Sequence, residues 1–171
     1  AEFMHTFSKV VVPKELPHAF FIEGGGLAVE NALKVAFDWK QRKNEKAGRR
    51  DEACKVIHYK HAFHGRTGYT ISLTNTSDPR KTAYFPKFDW PRVESPEIHF
   101  PLDEEHLREV QKCEQESLEQ IQNAINKNSH EIAALIIETI QGEGGDRHFR
   151  DEYFIKLREI CDKHDIFLIF D

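Results

Sequence analysis

The chain closes on Ile166-Phe167-Leu168-Ile169-Phe170-Asp171, an apolar run of β type that delivers a carboxylate at its tip. An ionised carboxylate without a partner in an apolar setting costs several kcal/mol, so such an aspartate needs a cation or takes up a proton. A protonated pyridine nitrogen is a suitable partner. A second apolar run, IAALII (132–137), empties into ETIQGEGGD, where Glu138 and Glu143 bracket a glycine-rich loop. Acids at a strand tip pair with cations or tune a neighbour's pKa, although solvated loop glutamates share the pattern. A third run, CKVIHY (54–59), leads into HAFHGRTG (61–68). There Phe63 has the shape to cover a planar group, with ordinary core packing as its rival, and Arg66 has the fork to hold a carboxylate by two parallel hydrogen bonds. His58, His61 and His64 raise a metal reading, but a spacing of three residues fits neither one face of a strand nor a helix running through Gly65.

In EGGGLAVENALK (23–34), consecutive glycines directly precede a helical pattern with no Ser, Thr, Asp or Asn to cap it. Uncapped N–H groups, a backbone open to close approach, and the helix dipole together make a seat for phosphate. A glycine turn without a ligand gives the same pattern. The stretch is neither G-x-G-x-x-G nor a P-loop, which counts against dinucleotides and nucleoside triphosphates.

The elements that must position these residues follow from periodicity. Phe3, Phe7 and Val10 share one helical face, HAFFIE (18–23) reads as a strand, and Val29, Ala32, Leu33, Ala36 and Phe37 mark a helix after the glycines. A short helix or turn is expected through YTISLT (69–74). The connection from 75 to 96 holds four prolines and several aromatics, and its length marks it as functional or interfacial. A polar helix opened by PLDEEHL carries the stripe Leu107, Val110, Leu118, Ile121 and Ile125, its Glu and Gln residues forming a solvated face. The run 132–137 reads as a strand buried on both sides, and the helix DEYFIKLREICDKH (151–164) precedes the closing strand. Strands alternating with helices predict an α/β fold, a three-layer α/β/α arrangement around a mostly parallel sheet. Ligands of such sheets bind beyond the carboxyl ends of the strands, so Glu23–Gly26, His61–Arg66, Glu138–Gly145 and Asp171 should converge on one site.

Composition narrows the partners. The chain has 171 residues, 39% of them hydrophobic, within the size range of one domain with a sizeable core. Its 24 basic residues are mixed among 29 acidic ones for a net charge of −5, which argues against nucleic acid or an anionic membrane and for a small soluble substrate. Cys54, Cys113 and Cys161 form no disulfide or zinc pattern, so a reducing cytoplasm is the expected setting. No run approaches the roughly 20 apolar residues of a membrane helix. The start AEFMHTFSKV has neither an initiator Met nor a signal-peptide layout, and both ends read as cut.

GGGLAVENALK, AFHGR, IIETIQGEGGD and LIFD, in that order and over essentially the whole chain, closely resemble the class III pyridoxal-phosphate-dependent aminotransferases, which have fold-type I architecture. FFIEGGGLAVENALKVAFDWK, AFHGRTGYTISLTNT and FPKFDWPR are most similar to the members acting on the ε-amino group of L-lysine. The resemblance implies that 1–171 is part of the cofactor-binding large domain of a homodimer. It implies pyridoxal 5′-phosphate as cofactor, L-lysine and 2-oxoglutarate as substrates, and glutamate and 2-aminoadipate 6-semialdehyde as products. By the same resemblance Gly25 and Gly26 serve the cofactor phosphate, Phe63 stacks on its ring, and Asp171 pairs with the pyridinium nitrogen. Arg66 takes the substrate α-carboxylate, and Glu143 pairs with a C-terminal arginine that can open to admit 2-oxoglutarate.

Two departures stand out. Thr139 occupies the place of the usual Pro, restoring a backbone N–H. The Schiff-base lysine, the C-terminal arginine and the partner-subunit phosphate ligands match no residue here, so the chain alone is expected to be inactive. Members acting on ornithine, 4-aminobutyrate or diaminobutyrate are the nearest alternatives, and a non-catalytic phosphate-binding module is the alternative of another class.

Overall fold

The computed structural model describes residues 1–171. In chain order the elements are α1 (Glu2–Val10), α2 (Gly25–Lys46), β1 (Lys55–Tyr59), α3 (Thr70–Leu73), a 3-10 turn (Pro79–Lys81), β2 (Arg92–Val93), α4 (Glu104–Lys127), β3 (Ile132–Ile137), β4 (Ile140–Gln141), β5 (Arg147–His148), α5 (Asp151–His164) and β6 (Phe167–Phe170). The main sheet runs β2-β1-β3-β6 with every neighbouring pair parallel, and β4 and β5 form a separate antiparallel pair. This is the expected α/β arrangement.

Alternation along the strands separates two apolar layers. Val56, Ala134 and Ile136 pack with Val29, Leu33 and Ala36 of α2 and with Leu73 and Trp90. Ile57, Tyr59, Leu135 and Ile137 pack with Ile121 and Ile125 of α4 and with Tyr153, Leu157 and Cys161 of α5. All six residues of β3 are buried, because β3 is central and covered on both faces. Burying each such aliphatic side chain contributes about 1.5–3 kcal/mol. On α4, Val110, Ile121 and Ile125 are buried as the stripe requires, and Asp103 caps the helix by accepting from the N–H groups of Glu105 and His106.

Three expectations are corrected. HAFFIE (18–23) is irregular and not a strand: the sheet has no neighbour to hydrogen-bond it, and Phe21 instead packs edge-on against Phe3 and Phe7 of α1. Glu114, read as part of a solvated face, is buried and forms a two-pronged ion pair with Arg150 at 2.9 and 2.7 Å. The glycine-rich stretch after β3 is more than a loop, since it contains the β4–β5 hairpin. The long connection 75–96 contributes β2 to the sheet and stacks Phe88 on Trp90 at 5.0 Å.

Candidate active site

The strands β1, β3 and β6 release the chain at Lys60, Glu138 and Asp171, at the same end of the sheet. Asp171 N–H donates to Ile137 O at 3.1 Å, extending the β3–β6 ladder by one rung and fixing the aspartate backbone. His64 Nδ1 lies 2.8 Å from Asp171 Oδ2, and the His64 side chain is fully buried while 30% of the Asp171 side chain is exposed. A neutral imidazole in that contact is the tautomer that donates from Nδ1. His64 is itself anchored, its N–H donating to Thr74 Oγ1 at 3.0 Å, while the Thr74 hydroxyl donates to Gly65 O at 2.6 Å. One carboxylate oxygen of Asp171 is therefore occupied, and Oδ1 makes no hydrogen bond.

Glu138, one residue past β3, accepts from Phe63 N–H at 3.0 Å. Burial pushes its pKa up, opposed first by that hydrogen bond and then by His64. Phe63 is half-buried, with the Lys81 ammonium 5.9 Å from its ring centre. Glycine is required at Gly144, where a Cβ would lie 2.4 Å from His61 O, so the loop after β3 sits directly on the segment after β1.

The amino end of α2 has Gly24 at φ 84° as N-cap and no side-chain cap. Its ladder opens with Ala28 N–H on Gly24 O, which leaves the N–H groups of Gly25, Gly26 and Leu27 without a helical acceptor. A Cβ at Gly25 would meet nothing within 4 Å, while one at Gly26 would lie 3.3 Å from Thr67 Cγ2. Donors, open space and the helix dipole make this a fitting seat for an anion.

Arg66 is exposed, donates through Nε to Lys81 O at 3.2 Å, and lines a cavity of about 570 Å³ with Tyr69, Phe85 and Phe88. Glu143 Oε1 is reached at 2.6 Å both by the Lys81 ammonium and by the Thr76 hydroxyl. These bonds, Lys81 first, hold the Glu143 carboxyl below its usual pKa. Lys81 thus ties both residues together, its carbonyl on Arg66 and its ammonium on Glu143.

The four sequence clusters do meet, with His61–Arg66 as the hub: Gly65 lies against Gly26, Phe63 bonds Glu138, and His64 bonds Asp171. Sequence reasoning missed the roles of His64, Glu138 and Lys81. It treated His64 only as a metal candidate, whereas His58 Nδ1 engages Leu73 O and His64 Nδ1 engages Asp171, which gives the two rings separate tasks. The available signal was the need of Asp171 for a partner; which residue meets that need is a contact across 107 positions of chain.

The observed groups suit pyridoxal phosphate: uncapped N–H donors for its phosphate, the Phe63 ring in the hub segment, and a carboxylate acceptor for a ring N–H. The family model for aminotransferase class-III matches residues 1–171. The chain is 53% identical to the L-lysine-epsilon aminotransferase of Mycobacterium tuberculosis H37Rv, over all of this chain and 37% of that protein. It is 46% identical to the L-lysine-epsilon aminotransferase of Amycolatopsis lactamdurans, over all of this chain and 38% of that protein. The solved structure of lysine aminotransferase from M. tuberculosis superposes with a TM-score of 0.92 at 53% identity, covering 99% of this chain and 38% of that one. The chain thus spans a little over a third of the length of the relatives it matches.

Proposed function

The chain belongs to the class-III aminotransferases, and we propose that the whole protein transfers the ε-amino group of L-lysine to 2-oxoglutarate, giving glutamate and 2-aminoadipate 6-semialdehyde. The observation that carries the substrate is the 53% identity to an L-lysine-epsilon aminotransferase along the entire chain, the loop 75–96 included. In this reading the protein works as a cytoplasmic homodimer with pyridoxal 5′-phosphate, and residues 1–171 are part of its large, cofactor-binding domain.

Bound there, the cofactor supplies a protonated ring that draws electron density away from the substrate carbon as its proton leaves. The residues of this chain do the holding. Gly25 and Gly26 donate backbone N–H groups to the phosphate, and Phe63 covers the ring. Asp171 keeps the pyridine nitrogen protonated, because a carboxylate beside a cation favours the charged form of both. His64 occupies Asp171 Oδ2 at 2.8 Å, so the free oxygen is held in one orientation. Arg66 receives the α-carboxylate by two parallel bonds from its unused terminal nitrogens, which sets the ε-amine and not the α-amine at the reacting end. Glu143 provides the negative charge that an arginine neutralises while lysine is bound and releases for a second carboxylate of 2-oxoglutarate.

Measuring kcat/KM of the full-length enzyme with L-lysine, L-ornithine, 4-aminobutyrate and 2,4-diaminobutyrate tests the assignment. Lysine is expected to lead; a clear preference for any of the others overturns it.

A further inference from the structure

Glu30 lies on α2 close to its glycine start, is only 8% exposed, and holds neither the phosphate nor the carboxylate in the reading above. Its Oε1 accepts from the Thr67 hydroxyl at 2.6 Å and from Tyr69 N–H at 2.6 Å, with Thr70 N–H at 3.4 Å. Thr67 and Thr70 close the same knot, Thr67 N–H donating to Thr70 Oγ1 at 2.9 Å and the two hydroxyls lying 2.9 Å apart. One carboxylate oxygen thus gathers the turn that follows Arg66. A carboxylate accepting charge-assisted bonds from backbone N–H groups holds them more firmly than a neutral acceptor would.

The same turn presses on the phosphate seat. A Cβ at Gly65 would lie 3.1 Å from Gly26 Cα and 2.9 Å from Thr70 Oγ1, and one at Gly26 would lie 3.3 Å from Thr67 Cγ2, so the two backbones meet with no side chain between them. Gly65 also holds φ 110°, a conformation open to glycine. Contact this close leaves the relative placement of the two segments to whatever ties them, and the tie from α2 is Glu30. Glu30 and Arg66 also line the same cavity of about 570 Å³.

We propose that Glu30 is a positioning residue: it fixes the distance between the N–H groups of Gly25 and Gly26 and the guanidinium of Arg66, and so the distance between the cofactor phosphate and the substrate carboxylate. It touches neither ligand. This rests on the reading of the site given above. A positioning error of about 1 Å is enough to cost two orders of magnitude in an enzyme site, so a carboxylate remote from the chemistry has leverage.

The test uses the full-length enzyme carrying Glu30→Ala, Glu30→Gln or Thr67→Val. Amide hydrogen exchange at Tyr69 and Thr70 reads the contact itself, equilibrium dialysis reads pyridoxal phosphate affinity, and competitive inhibition by hexanoate against hexylamine separates ligands with and without a carboxylate. In Glu30→Ala, exchange at both amides accelerates, the cofactor dissociation constant rises about tenfold, and Ki rises about tenfold for hexanoate while staying within about twofold for hexylamine. Glu30→Gln keeps an acceptor oxygen and falls between wild type and Ala. Thr67→Val, which removes one donor to Glu30 and the acceptor of the Thr70 hydroxyl, moves the same quantities the same way by less and decides the matter if Glu30→Ala does not fold. Unchanged exchange and unchanged hexanoate Ki overturn the proposal, as does an equal rise for hexanoate and hexylamine, which marks general damage. A wild-type enzyme indifferent to pyridoxal phosphate and to hexanoate would instead remove the reading of the site, while the exchange data still report on Glu30.

Discussion

Two buried polar networks in this molecule are built from similar parts and end differently. Between the sheet and helices α4 and α5, the Tyr59 hydroxyl lies 2.9 Å from that of Tyr153, which lies 2.7 Å from Ser117 Oγ, which donates to Glu94 O at 2.7 Å. Since Ser117 has one proton and gives it to Glu94 O, the direction of the relay is set from Tyr59 through Tyr153 to Ser117. Every link has a partner within the chain, and burial holds both phenols protonated by pushing their pKa values up. At the carboxyl end of the sheet the run is shorter, His64 N–H donating to Thr74 Oγ1 and His64 Nδ1 engaging Asp171 Oδ2, and it terminates on a carboxylate whose Oδ1 makes no hydrogen bond, while the buried His64 Nε2 has no partner. A closed relay stabilises; an open one presents a charge.

Breaking the open relay should produce the largest effect. Asp171→Ala in the full-length enzyme is expected to lower kcat for lysine by about a thousandfold, because the charge proposed to pair with the cofactor ring is removed, while the melting temperature stays close to wild type. Wild-type turnover in that variant would erase the distinction between the two networks. Next comes Arg66→Ala. Loss of a charge-assisted pair worth about 1.5–3 kcal/mol raises the KM for lysine by about 10- to 100-fold with cofactor affinity unchanged, as read by initial rates and dialysis.

The closed relay responds in the opposite currency. Tyr59→Phe removes the first donor and leaves Tyr153 bonded to Ser117, so stability falls by about 1 kcal/mol in denaturant titration and the kinetics stay unchanged. A kinetic defect there would mean the core relay reaches the site.

The smallest effect at neutral pH concerns His58, fully buried on β1 with Nδ1 on Leu73 O. Burial, followed by the nearby Arg92, lowers its pKa from 6.5 to about 3. The unfolded chain therefore binds a proton more readily than the folded one between those values. The stability contributed by neutral His58 is complete above pH 6.5 and is lost as pH falls toward about 3. The melting temperature should decline over that window, and His58→Gln should flatten part of the decline.

Much of this was legible in local sequence. The uncapped glycine start of α2, the doubly buried run 132–137 and the carboxylate closing IFLIF each depend on residues within a few positions, where steric and hydrophobic rules act directly. Topology then required the clusters after β1, β3 and β6 to converge, and they do. Where the local rule needed a distant partner, it failed. HAFFIE has the apolar content of a strand, but a strand exists only when another backbone accepts its hydrogen bonds, and none lies beside it.

Sequence alone determined which residue types stand at the ends of β1 and β3 and at Asp171, and residue type and short spacing fix what each side chain can donate, accept or cover. Tertiary structure alone decided how they are held: His64 on Asp171, Glu138 on Phe63, Lys81 between Arg66 and Glu143, and Glu30 under the turn after Arg66. Each is a hydrogen bond effective over about 3 Å between residues separated along the chain, and such a contact leaves no periodic trace in the sequence.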